Sequence, residues 1–171
     1  MWINLALIVI LLICVATDVR HRKIYNKVIF PGLGIAFAVH LISNGFASLL
    51  DSFIGFAVGL GILLIPYLMG GIGAGDVKLL AVVGAWKGMG FVLQASLYMA
   101  LTGALFAICI LLFHKGAYVR LKAMAYSIYG LRYGIWIPML PNDGTMKVTF
   151  PYGVAIAIGT LTALYGMELD L

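Results

Sequence analysis

The 171-residue chain carries only six carboxylates, and two of them stand at the edges of long apolar runs. Asp18 closes residues 2–17, and Asp76 follows Gly70-Gly71-Ile72-Gly73-Ala74-Gly75. A carboxylate beside a hydrocarbon layer is costly and points to function. Two carboxylates held together cannot both ionise cheaply, so the pair holds a shared proton. One member then takes a proton from water while the other gives one to a carbonyl, the chemistry by which paired aspartates cut an amide without a nucleophilic Ser or Cys. The plainer alternative gives each residue a local task, Asp76 as a helix N-cap and Asp18 as an interfacial anchor. The other four read as structural or solvated: Asp51 in an outer loop, Asp143 in an Asn142-Asp143-Gly144 turn, and Glu168 and Asp170 in the tail.

The elements that must position the two aspartates follow from composition. Apolar residues make up 64% of the chain and charged residues 10%, against roughly 25% charged in a soluble domain. So few charges cannot cover a water-soluble globule or keep a chain disordered. The sequence therefore predicts an all-α integral membrane protein. Its apolar runs rarely alternate with period two, which argues against a β-barrel. A span needs roughly 20 helical residues. Residues 2–17, 28–43, 53–69, 77–86, 91–113 and 151–167 give about six spans in a single membrane-embedded domain, 1–171, with a turn at Lys87-Gly88-Met89-Gly90. The run before Asp18 is about 24 Å long at the usual helical rise, which puts Asp18 at or just below headgroup level. The short fourth span puts Asp76 within the membrane profile, reached by water through the glycine-rich opening.

Net charge is +5. On one side lie loops 18–27, 70–76 and 114–150, with Arg20, Arg22, Lys23, Lys27, Lys115, Arg120, Lys122, Arg132 and Lys147, and Lys78 just beyond the second loop. The other side has Lys87 alone. By the positive-inside rule these loops are cytoplasmic and both termini lie outside. The aromatics among the basic residues of 114–150 suit a membrane interface better than nucleic acid, so the bilayer is the expected partner and no nucleic acid is. Cys14 and Cys109 lie in apolar runs and form no CxxC, so neither a zinc site nor a structural disulfide is expected. No metal and no cofactor is expected.

Three motifs resemble one known family, the type IV prepilin peptidases, aspartic membrane proteases of the GxGD class. Gly73-Ala74-Gly75-Asp76 meets the class motif and continues as Val77-Lys78-Leu79. Asp18-Val19-Arg20-His21-Arg22-Lys23-Ile24-Tyr25-Asn26 is similar to the family's first aspartate motif, with Tyr25 where proline is usual. Phe150-Pro151-Tyr152-Gly153-Val154-Ala155 is similar to the Pro-aromatic-Gly segment that opens the last helix. The resemblance covers nearly the whole chain and implies a GxGD-protease-like bundle. It makes Asp18 and Asp76 catalytic, Gly73 and Gly75 shapers of the active-site loop, and Lys78 and Asn26 candidates for substrate contact. It implies a prepilin-like substrate, a short basic leader followed by a hydrophobic helix, cut at the cytoplasmic face of the inner membrane. Larger members carry a cytoplasmic domain with paired cysteines and also N-methylate the pilin. This chain looks like the short, peptidase-only forms of tight-adherence (Flp-type) pilus systems, so no methyltransferase activity is expected.

Three rival readings remain at this level. A transporter or channel would use intramembrane carboxylates for protons or ions, although no repeat-related pair of broken helices is visible. A presenilin-like intramembrane protease would carry a Tyr-Asp first motif, whereas Thr17 precedes Asp18. A non-catalytic assembly subunit would tolerate loss of either aspartate.

Overall fold

The structure, a computed structural model, describes Trp2–Phe113 and Tyr152–Leu169. The expected cytoplasmic loop 114–150, with Asp143, lies outside the described residues, as does Asp170. The described residues form four helices and no strand: α1 (Trp2–His21), α2 (Asn26–Leu68), α3 (Ala74–Phe113) and α4 (Tyr152–Leu169). Trp2–His21, Asn26–Ser43, Gly45–Leu68 and Ala74–Cys109 are long and apolar enough to cross a membrane, and Tyr152–Gly166 is a shorter apolar helix. Large apolar side chains such as Leu5, Leu12, Ile42, Leu97 and Leu101 are exposed on these helices, as lipid-facing positions are. This is an all-α membrane protein. Residues 1–102 and 150–171 form one compact unit, which contains everything described below. Of the other unit, 103–149, the described part is the helical end of α3, residues 103–113.

Two expected loops are replaced by single-residue breaks. In place of a loop over 44–52, α2 is interrupted at Gly45, whose φ of 74° and ψ of −159° lie outside helical space. Helix resumes at once, so Asp51 is a helical residue and not a loop residue. The halves double back. The Phe37 and Phe53 rings stack at 5.1 Å between centroids, although 16 positions along an unbroken helix would hold them about 24 Å apart. The turn expected at 87–90 is likewise one residue, Gly88, with φ 81°. Glycine has no Cβ to oppose positive φ, so a helix can be redirected without a loop.

A break frees backbone carbonyls that need donors, above all in an apolar setting. Before Gly88 these are supplied by α2. Ser52 Oγ donates to the Ala85 carbonyl at 2.5 Å, and His40 Nε2 meets the Trp86 carbonyl at 3.2 Å. A carbonyl only accepts, so Nε2 is the donor and Nδ1 accepts from Ser48 Oγ at 2.8 Å.

Residues 77–86 of α3 are buried at nearly every position, including Leu79, Leu80, Val82 and Val83. A helix apolar on every side belongs in the centre of a bundle. Close approach there depends on small residues. A Cβ on Gly84 would lie 2.0 Å from the Gly55 carbonyl oxygen, and one on Gly59 would lie 2.5 Å from the Leu80 carbonyl oxygen. Gly159 of α4 meets α3 in the same way at Ala95 and Met99. Gly55 and Gly59 are one turn apart, the small-xxx-small spacing of tightly packed membrane helices. On α1, Leu7, Leu11, Cys14 and Asp18 form the buried stripe, and α1 packs against α2 and α4. One face of α1 thus delivers Asp18 to the interior.

Candidate active site

Asp18 and Asp76 come from helix ends that are shaped differently. α1 stops one turn after Asp18. Arg22 takes a left-handed conformation with φ 52°, and its N–H donates to the Asp18 carbonyl at 2.7 Å. That is an αL C-cap in which an arginine stands where glycine is usual. The chain then runs through Lys23, Ile24 and Tyr25 into α2. Tyr25 is extended, with φ −82° and ψ 130°, and its carbonyl accepts the Val28 and Ile29 N–H groups. This φ is near the value that proline fixes, so the backbone at Tyr25 would admit the proline of the resembled motif.

Before Asp76, α2 ends in a full Schellman motif. Gly70, with φ 77°, donates to the Tyr67 carbonyl at 2.9 Å, and Gly71 donates to Pro66 at 3.0 Å. Gly73 is the N-cap of α3, its carbonyl accepting from Asp76 and Val77. Asp76 is therefore not the N-cap. It occupies the third helical position and reaches back, Oδ2 accepting from the Gly73 N–H at 3.2 Å. This is half of a capping box. Its other oxygen, Oδ1, is buried and has no hydrogen-bond partner among the described residues.

A pocket of about 370 Å³ is lined by Asp18, Arg22, Lys23, Ile24, Tyr25, Asn26, Gly73, Ala74, Gly75 and Asp76. It thus gathers the two aspartates, both loop glycines and Asn26. Asp18 is 7% exposed and Asp76 9%, and the charge of Asp18 is close enough to act on Asp76. Gly75 brings the two loops into contact, because a Cβ there would lie 2.9 Å from Ile24 Cβ. Lys78 does not line the pocket. Its Nζ donates to Asn26 Oδ1 at 2.9 Å on the exposed side and lies 5.6 Å from the centre of the Phe30 ring. Among the described residues no three His, Cys, Asp or Glu side chains converge on a metal-sized site.

The resemblance singled out the segment around Gly153 without giving it a task. In the structure the Gly153 N–H, in the first turn of α4, donates to Asp18 Oδ2 at 3.0 Å. The partners are 135 residues apart, so local spacing carries no signal of the contact.

A bundle of apolar helices with two buried carboxyl groups at one polar pocket defines a class, a helical membrane protein with an acidic site. The sequence model of the type IV leader peptidase family matches residues 5–108, well over half of the chain, and the chain belongs to that family. Membership indicates a peptidase. The matched stretch includes Asp18 and Asp76 and stops short of α4. No curated protein and no solved structure gives a significant match.

Proposed function

We propose that the protein is an aspartic endopeptidase that removes the short basic leader from type IV, Flp-like prepilins at the cytoplasmic face of the inner membrane. The observation that carries this reading is the shared pocket of Asp18 and Asp76 in a member of the type IV leader peptidase family. One carboxylate accepts a proton from water, whose oxygen bonds to the scissile carbonyl carbon. The partner carboxylic acid donates its proton to the carbonyl oxygen. When the tetrahedral intermediate collapses, the C–N bond breaks, the leaving nitrogen takes the proton that the first carboxylate had accepted, and a hydroxyl of the intermediate returns one to the partner.

The charge count supports six spans with both termini outside, and the breaks at Gly45 and Gly88 are compatible with that count. A substrate with a hydrophobic helix behind its leader would lie in the bilayer and present its cleavage point at the pocket. A peptidase family gives the transporter reading no support. With two cysteines and no CxxC in these 171 residues, cleavage without N-methylation is the expected activity. The test is incubation of membranes with a pilin precursor and S-adenosylmethionine, the new N-terminus being read by mass spectrometry. A shortened pilin with a free α-amine is the expected product. Uncut precursor would remove the reading, and a gain of one methyl group would remove its peptidase-only part.

A further inference from the structure

The two carboxyl groups of the pocket are not held alike. Asp18 Oδ2 accepts the Gly153 N–H from the first turn of a separate helix, α4, whose N-terminal end carries partial positive charge. The Arg22 guanidinium adds a favourable charge. Asp76, in the first turn of α3, has a helix N-terminus of its own, and its Oδ2 is occupied by the Gly73 N–H; what sets it apart is Oδ1, which is buried without a hydrogen-bond donor among the described residues. A buried anionic oxygen without a donor is costly, whereas a proton on it costs little and supplies a donor. Only glycine permits the α4 contact, because a Cβ at position 153 would lie 2.7 Å from Asp18 Oδ2 and 3.3 Å from Asp18 Cγ.

Resting on the aspartic reading above, we infer that Gly153 is a positioning residue: its backbone N–H fixes Asp18 as the ionised, proton-accepting member of the pair and leaves the shared proton on Asp76. The other titratable groups around Asp18 are Cys14 on α1, Arg22 at its C-terminal cap, Lys23 and Tyr25 in the following loop and Asp76 on α3, and Tyr152 precedes Gly153 on α4. Of these, Arg22 also favours the Asp18 anion, so the contribution of Gly153 is orientation as well as charge. Family membership alone does not supply this role, since the matched stretch ends before α4.

The assignment makes the acidic limb of the rate profile report Asp18. Gly153→Ala pushes the carboxylate off the amide. The expected result is a fall in kcat/KM of roughly ten- to a hundredfold from misplacement. With the donor lost, the acidic limb should also move about one unit to higher pH while the alkaline limb stays. Gly159→Ala is the packing control. Its Cβ would press harder, on the α3 backbone 2.5 Å away at the Met99 nitrogen, but about two turns further along α4 from the pair. It should lower thermal stability and leave both limbs in place. A Gly153→Ala enzyme with an unmoved acidic limb, or a Gly159→Ala enzyme with the same shift, overturns the inference.

A second measurement needs no change at position 153. The sequence has four Tyr-Gly bonds, at Gly130, Gly134, Gly153 and Gly166, so carbonyl-labelled Tyr with nitrogen-labelled Gly gives four amide signals. One of them should titrate together with the acidic limb, and that titration should vanish in Asp18→Asn. If none of the four does so, Gly153 does not hold Asp18. Activity retained in Asp18→Asn or Asp76→Asn would instead remove the aspartic reading itself, a separate outcome.

Discussion

Asp18 and Asp76 stand out because a chain with six carboxylates and long apolar runs leaves few places for acid chemistry, and the fold brings both to one pocket. Their surroundings were less legible. The plain alternative for Asp76 was an N-cap, yet Gly73 takes that position and Asp76 reaches back from the third. Gly153 is bound to Asp18 from the far end of the chain, and no local pattern encodes such a contact. Lys78 shows the converse. It stood out next to the GxGD motif, but its ammonium group pairs with Asn26 on the exposed side. An exposed pair of this kind is worth about 1 kcal/mol or less. Lys78→Met should therefore lower kcat/KM by less than about tenfold and barely change the melting temperature, against a loss of roughly a hundredfold or more for a group on the reacting atoms. Rate measurements on purified Lys78→Met decide between these, and a loss of the larger size would put Lys78 in the chemistry.

At the scale of elements, apolar run length located the helices well and their connections poorly. The turn near Gly88 was visible because Lys87 interrupts the only long apolar run in that region. The span limits 28–43 and 53–69 leave 44–52 as a loop, whereas the break is at Gly45 alone and the polar Ser48, Asp51 and Ser52 are helical. Ser48 and Ser52 instead serve helix ends, one bonded to His40 and the other to the carbonyl of Ala85. Such polar residues inside a helix are matched to carbonyls that only the folded bundle exposes. Two substitutions test this level. Tyr25→Pro keeps the observed φ and should stabilise the α1–α2 loop by about 0.4–1 kcal/mol through loss of unfolded-state freedom, with activity retained. A falling melting temperature would show that the Tyr25 ring contact with His21, 6.2 Å between centroids, matters more than the backbone. Gly84→Val forces side-chain atoms into the Gly55 backbone and should cost about 3 kcal/mol or more, or prevent folding. Gly34→Ala, inside a helix where a Cβ meets nothing within 4 Å, should be neutral or stabilise by up to about 1 kcal/mol. Thermal unfolding in detergent separates the two, and equal stability would place the tight α2–α3 contact in doubt.

For the whole molecule, composition alone fixed the class, since 10% charged residues cannot solvate a globule. Orientation rests on ten basic residues against one, and it decides whether the pocket meets a cytoplasmic leader. Cysteine labelling from the outside should modify a Cys placed at position 170 and spare one placed at 117. The reverse pattern would put the pocket on the wrong face for a prepilin. The central claim is that Asp18 and Asp76 act as one unit. Asn keeps the size of Asp and its amide oxygen can still accept the Gly153 or Gly73 N–H, so Asp18→Asn and Asp76→Asn remove an ionisable group with little structural cost. The wild-type profile should be bell-shaped: activity falls at low pH as the base protonates and at high pH as the acid loses its proton. The most direct measurement is cleavage of a prepilin by the two single variants, the double variant and Asp143→Asn, each folded and present in the membrane at equal amounts. Each single change should abolish detectable cleavage, the double change should be no worse than either, and Asp143→Asn should keep most activity. Near wild-type processing by a folded Asp18→Asn or Asp76→Asn protein would contradict the aspartic mechanism and return both carboxylates to structural or ion-conducting roles.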